Sequence, residues 1–348
     1  MEVKPRQISV IEVLAPQEFH AEIVPAGQPV VLKGLAAHWP AVEQARRGEA
    51  ALVEYALRFD SKKPAETIIG DPGIKGRFFY TEDLKALNFA RRPIPIAATL
   101  RHLLAIRTVD APPACYIQSV PISEYLPGFE DENRLEFAPP SAEPRIWIGN
   151  RLTVQTHFDL SENIAVVVAG RRRFTLFPPD QLPNLYPGPF ELTLAGPPVS
   201  MVRLDAPDME KYPRFVEAMC RAQTAELEPG DAIYIPYFWW HHVESLEWFN
   251  VLVNYWWSES APDLGSPFDC LLHGLIALRD MPPRYREIWR MVFDHYVFKR
   301  NGEPVEHLPP DARGALGDRD PRRIERMRKM LAHALAREAG LARPSRAG

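Results

Sequence analysis

His157-Phe158-Asp159 places an imidazole and a carboxylate two residues apart, shortly before the apolar run Ile164 to Ala169. In an extended chain residues i and i+2 point to one side, so both side chains can grip a single ion. A second source of imidazole stands far downstream at His241-His242, after the turn Pro229-Gly230-Asp231 and the apolar stretch Ala232 to Ile235. Two histidines and one carboxylate, with coordination positions left open, suit non-haem Fe(II). With ten histidines in 348 residues, an accidental His-x-Asp pair is common enough that the motif alone is a weak signal. His242-Val243-Glu244 is a second His-x-acid pair, and spacing alone leaves it in play.

Context separates the two pairs. The run from His157 to Pro179, HFDLSENIAVVVAGRRRFTLFPP, reads as a strand, a glycine, a second strand and a Pro-Pro stop. The spacing predicts a hairpin with the ligand pair at its mouth. Alternation in its second strand puts Arg172 on one face with Gly170 and Phe174, and Arg171 and Arg173 on the other with Thr175. Arg171 and Arg173 are expected in solvent, the usual place for arginine. If the Phe174 face is interior, Arg172 is a buried cation that needs an acidic partner. A dicarboxylate cosubstrate would supply one, held by two parallel bonds to the planar guanidinium.

Six stretches then carry a family resemblance: PVVLKGL with HWP at 29 to 40, CYIQ at 115 to 118, HFDLSENIAVVVAGRRRFTLFPPDQLPNLYP at 157 to 187, PDMEKYPRF at 207 to 215, EPGDAIYIPYFWWHHVES at 228 to 245, and VNYWW at 253 to 257. From about residue 20 to about residue 260 the chain resembles the Jumonji-C and cupin-like 2-oxoglutarate oxygenases, most closely an asparaginyl hydroxylase among them. The resemblance implies a mainly β fold, a double-stranded β-helix (jelly-roll) core with added helices and a C-terminal helical region. It implies that His157, Asp159 and His241 hold Fe(II), because the family's distal histidine directly follows the aromatic pair, here Trp239-Trp240. It implies 2-oxoglutarate as cosubstrate with O2, its distal carboxylate held by Tyr116 and Arg172. Asn163 and Asn254 would form a polar wall, Trp256 an aromatic one, and Gln118 would face substrate.

Two positions depart from the family pattern. Its basic anchor is usually Lys where this chain has Arg172, which keeps the charge but changes reach and donor geometry. Its Thr three residues ahead of the first ligand is replaced by Val154; the flanking hydroxyls of Thr153 and Thr156 could take over that contact, and Thr153 is counted among the cosubstrate residues. The reaction implied is hydroxylation of a C–H bond coupled to conversion of 2-oxoglutarate to succinate and CO2. The implied substrate is an Asn, Asp or His side chain of a polypeptide, although the same scaffold serves small molecules and modified tRNA. Of the other classes, a metal-cupin isomerase would use a His-x-His pair, which this chain lacks. A non-catalytic cupin-like binding module would be expected to have lost a ligand.

The elements that must position these residues fall into three parts. Residues 1–110 mix short strands such as Val30 to Leu32 with helices and are broken near Arg92 to Pro95; they form a mixed α/β part of the oxygenase unit. Residues 111–260 are the strand-rich metal core. Through 261–348, after Pro262, the apolar period changes from two to about 3.6. Phe268, Leu271, Leu272, Leu275 and Ile276 mark one helix, and Tyr285, Ile288, Trp289, Val292, Phe293 and Tyr296 a longer one. Their wide apolar stripes need covering, for which a second subunit is a candidate, and the resemblance implies a homodimer through these C-terminal helices. Pro321 to Arg337 reads as an amphipathic helix with a solvated arginine face. The aromatic cluster around Tyr237 to Trp240 and Trp248 to Trp257 reads as barrel core, Trp256 excepted.

Composition bounds the function class. At 348 residues and 46% hydrophobic, the chain can bury a large core. A net charge of −4 argues against a nucleic-acid partner, whose binding domains carry a basic stripe. Cys115, Cys220 and Cys270 form no metal knuckle and are expected to be buried, reduced thiols. No apolar run is long enough to span a bilayer, and the start MEVKPRQISVIEV lacks the order of a signal peptide. A cytoplasmic enzyme with no membrane partner is the expectation.

Overall fold

Strands covered on both faces read as continuous apolar runs, and two runs here do so: Ile164 to Ala169 and Ala232 to Ile235 are buried at every position. The protein is seen as a computed structural model that describes residues 4–12, 15–194, 196–261 and 263–341. Pro262, where the apolar period was expected to change, and part of the N-terminal stretch (1–3 and 13) lie outside the described residues. The first strands are β1 (Arg6–Gln7), β2 (Ser9–Glu12), β3 (Val30–Lys33), β4 (Pro64–Gly70), β5 (Ala90–Pro95), β6 (Ala114–Pro121) and β7 (Pro144–Gly149). There follow β8 (Thr153–His157), β9 (Glu162–Ala169), β10 (Arg172–Phe177), β11 (Gln223–Leu227), β12 (Ala232–Ile235), β13 (Trp240–Ser245) and β14 (Asn250–Trp257).

These strands form two sheets. The larger has the order β2-β3-β12-β9-β14-β7-β6-β4-β5, and the smaller β1-β11-β10-β13-β8. Ala165, Val167, Ile233 and Leu252 of the larger sheet cluster with Phe174, Leu176, Leu227 and Val243 of the smaller, so the inner faces of the two sheets share one core. The opposite faces of the same central strands serve a second core. Ile164, Val166 and Val168 of β9 cluster with Trp39, Val42, Leu52, Leu100 and Leu103, which come from the helices Pro40–Arg47, Glu49–Leu57 and Ile96–Ala105 and the turn before them. This is the mainly β, jelly-roll arrangement with added helices.

The hairpin expected across Gly170 does not form. β9 pairs with β12 and β14, whereas β10 pairs with β11 and β13, so the chain crosses from one sheet to the other at Gly170. Gly170 has φ +73°, and a Cβ there would lie 2.4 Å from Asn250 Oδ1 and 2.6 Å from the Phe249 carbonyl. Only glycine fits that crossing. Apolar periodicity could not reveal it, since adjacent strands of a jelly roll and of a hairpin look alike in sequence.

Of the described residues, those up to Ser260 belong to one compact unit and those from Ala261 on to another. The second carries the helices Pro267–Ala277, Pro283–Tyr296 and Pro321–Glu338. Many of its large apolar side chains are exposed, Ile276 to 75%, Phe298 to 64% and Met330 to 67%. Among the described residues no helix is long and apolar enough to cross a membrane.

Candidate metal centre

Antiparallel pairing of β8 with β13 sets His241 opposite His157, with ring centroids 4.1 Å apart. Beyond His241 the register of β13 slips, a local irregularity that can re-aim a side chain. Asp159 joins them from outside the strand. β8 ends at His157, so the carboxylate is carried by the following turn rather than by strand alternation as the spacing predicts. That turn is anchored through the intervening residue: Phe158 is buried and stacks on Phe238 at 4.1 Å and against Trp240 at 4.7 Å. The Phe238 amide also donates to the Asp159 carbonyl at 3.1 Å.

Ligand atoms of His157, Asp159 and His241 lie within 4.8 Å of one another, and His241 Nε2 is 3.6 Å from Asp159 Oδ2. Each imidazole is oriented by a backbone carbonyl: His157 Nδ1 is 2.8 Å from the Gln155 oxygen, and His241 Nδ1 3.0 Å from the Trp239 oxygen. A carbonyl only accepts, so in each neutral ring Nδ1 carries the hydrogen and Nε2 keeps its lone pair. Burial, reinforced by His157, pushes the His241 pKa down to about 4 although Asp159 opposes the shift; the ring is therefore unprotonated at neutral pH. Asp159 Oδ2 is buried without a hydrogen-bond partner. Two free lone pairs and an unpaired carboxylate oxygen converging on one point fit a divalent cation.

His242 faces the other way. It is buried and shares a hydrogen bond between Nδ1 and Thr156 Oγ1 at 3.2 Å. Burial, with Arg77 adding to it, pushes its pKa down to about 3. Thr156 thereby points away from the pocket, while Thr153 lines it beside the triad.

The same pocket is lined by Tyr116, Gln118, Asn163, Arg172, Asn254 and Trp256, so all the residues singled out from the sequence gather around the triad. Arg172 is 2% exposed, and its Nε and Nη2 have no hydrogen-bond partner. Burial lowers its pKa, and its electrostatic partner is the Tyr116 phenol, itself pushed up to about 12 by burial. Arg171 and Arg173 stand on the opposite face, paired with Glu247, Glu226 and Glu244. Gln118 sits on an irregularity of β6 where pairing with β7 slips between Ile117 and Val120. The next residue, Ser119, has φ +52°, and Arg145 Nε donates to its Oγ at 2.7 Å.

Trp147 is a pocket residue that the sequence reading missed. Its Nε1 donates to Asn254 Oδ1 at 2.6 Å, and Asn254 Nδ2 donates to Asn163 Oδ1 at 3.3 Å. It also stands edge-on to Trp256 at 5.8 Å and tilted against Tyr116 at 5.9 Å. The available signal was the alternation Ile146-Trp147-Ile148: the two isoleucines go to the helix-covered core, which sends Trp147 to the sheet interior. Of the other aromatics, Trp239, Trp240, Phe249, Tyr255 and Trp257 are buried as core, whereas Tyr237, expected with them, is exposed.

Comparison with known proteins decides the family. Residues 16–263 match the family model described as a cupin-like domain. The chain belongs to the cupin-like domain family. Its cupin-like relatives include lysine-specific demethylase JMJ31 of Arabidopsis thaliana, 38% identical over 105 residues, or 30% of this chain and 19% of that protein. The tRNA wybutosine-synthesizing protein 5 of Gallus gallus is 31% identical over 194 residues, covering 50% of this chain and 54% of the relative. HSPB1-associated protein 1 of Homo sapiens is 35% identical over 136 residues, 37% of this chain and 27% of that protein. The chain thus spans between about a fifth and about a half of the length of these relatives.

Proposed function

We propose that this cupin-like protein is an Fe(II)- and 2-oxoglutarate-dependent dioxygenase that hydroxylates a C–H bond. The observation that carries the reading is Arg172, a buried guanidinium with unpaired donors in the same pocket as a His-Asp-His triad whose Asp159 Oδ2 is also unpaired. A buried cation left alone is costly. A ligand with a carboxylate at one end and metal-chelating oxygens at the other would relieve both ends of the pocket at once.

In this reading His157, Asp159 and His241 hold Fe(II), and Arg172 with Tyr116 binds the distal carboxylate of 2-oxoglutarate. Thr153, Asn163 and Asn254 give the cosubstrate polar contacts, Trp147 fixes the Asn254 amide, and Trp256 closes the aromatic wall. Bound iron would supply the activation of O2 that couples decarboxylation of 2-oxoglutarate to substrate oxidation. The chain's own residues bind, orient and keep water out, which is the protein's share in cofactor chemistry. Gln118 faces the substrate.

The substrate we favour is a polypeptide side chain, Asn, Asp or His, as the likeness to an asparaginyl hydroxylase suggests. A modified tRNA is the second reading, favoured by the relative named for wybutosine synthesis, which matches half of this chain. The exposed apolar side chains of 261–348 support a homodimer through the C-terminal helices. Calorimetric titration of 2-oxoglutarate into Mn(II)-loaded protein tests the cosubstrate, and binding without metal dependence would contradict it. Peptides, small metabolites and tRNA incubated with the enzyme and screened for a gain of one oxygen atom would decide the substrate.

A further inference from the structure

Gln155, two residues before the first ligand, is 1% exposed, and its carboxamide is fully used. Nε2 donates to the carbonyls of Ser200 at 2.7 Å and Val202 at 2.8 Å, and Oε1 accepts from Arg77 Nη2 at 2.8 Å. Carbonyls only accept and a guanidinium only donates, so the amide has one orientation. Arg77 is held in turn: Nη1 donates to Asp205 Oδ1 at 2.8 Å, and Thr153 N donates to the Gly76 carbonyl at 2.9 Å. This approach depends on glycine, since at φ +76° a Cβ on Gly76 would meet the Arg151 carbonyl at 2.5 Å. On the other side Ser200 N donates to the Thr156 carbonyl at 2.8 Å.

β8 is therefore stitched between the segments at 76–77 and 200–202, and the knot is the Gln155 side chain. The main-chain carbonyl of that same residue takes the Nδ1 hydrogen of His157 at 2.8 Å. An apolar side chain would suffice to fill space here. A buried amide with every donor and acceptor paired does more, because it fixes the backbone that carries it.

We propose that Arg77 and Gln155 are positioning residues for the metal ligand His157, acting by holding the Gln155 carbonyl where it fixes the tautomer and orientation of the imidazole. This rests on the metal-centre reading above. Partners that orient a ligand imidazole in this way typically change metal affinity about tenfold to a hundredfold when removed.

The test is Co(II) binding to the full chain at neutral pH, by calorimetry and by the ligand-field absorption of the bound ion, for wild type, Gln155→Leu, Arg77→Met and the double variant. Asn133→Ala is the control, because it removes a buried amide elsewhere that holds the Ala41 amide and Tyr55. Gln155→Leu and Arg77→Met are expected to weaken Co(II) about tenfold to a hundredfold and to alter its spectrum, with the double variant no weaker than Gln155→Leu. Asn133→Ala should lose stability in urea yet keep the affinity and spectrum of wild type. Affinity within about twofold of wild type in both single variants, or a loss matched by Asn133→Ala, would overturn the proposal while leaving the metal centre standing. A wild type that takes up no Co(II), or a His157→Ala variant that takes it up equally, would overturn both.

Discussion

Arg171, Arg172 and Arg173 are chemically identical and adjacent, yet only one can be a binding residue. Strand alternation buries Arg172 and leaves its neighbours in ion pairs at the surface, and surface pairs contribute little. Arg172→Leu should weaken 2-oxoglutarate binding by about a hundredfold, from a lost buried partnership worth about 3 kcal/mol, while metal affinity stays within a fewfold of wild type. Arg171→Ala and Arg173→Ala should be close to neutral in the same titrations. Equal small effects in all three variants would place the anchor elsewhere. The adjacent histidines split likewise, and His242 makes a pH prediction. Its pKa falls from an ordinary 6.5 to about 3 on folding because it is buried, so the unfolded chain takes up the proton first. Stability from its neutral burial is full above pH 6.5 and is lost as pH falls toward about 3. Urea unfolding of metal-free protein across that range should show the decline, and His242→Gln should flatten it.

At the scale of elements, the site is made by one strand pair and one crossing. β8 and β13 bring the two imidazoles side by side, and the crossing at Gly170 delivers β10, with Arg172, to the sheet that carries them. Gly170→Ala should destabilise the protein by about 1–3 kcal/mol or more, since a left-handed residue is strained and its Cβ has no room. An unfolding midpoint in urea equal to that of wild type would contradict this. The ligand types, the strand runs and the direction of Arg172 were legible in the sequence because they follow from residue chemistry and a period of two. The pairing partners of β9 and β10 were not, because register between distant strands is a tertiary property that local pattern does not encode. Asp159 shows the same limit on a smaller scale: its side was readable from spacing, but the end of β8 at His157 depends on how Phe158 packs.

Over the whole molecule, the described residues up to Ser260 bury most of their large apolar side chains in continuous cores, whereas those from Ala261 on leave many in solvent. Exposed apolar surface on that scale is the ground for the proposed homodimer. Ile276→Glu with Trp289→Glu should shift sedimentation from dimer to monomer, and a wild type that sediments as a monomer at all concentrations would contradict the homodimer. The proposed iron and 2-oxoglutarate chemistry of the triad can be reached before any substrate is known, through turnover of 2-oxoglutarate uncoupled from substrate. The measurement is succinate formed from 2-oxoglutarate, Fe(II) and O2 by wild type, His157→Ala, Asp159→Ala and His242→Gln. Succinate released by wild type and His242→Gln but abolished in the two ligand variants is the predicted result. Succinate production that survives in His157→Ala or Asp159→Ala at the wild-type rate, with metal contamination excluded, would contradict it.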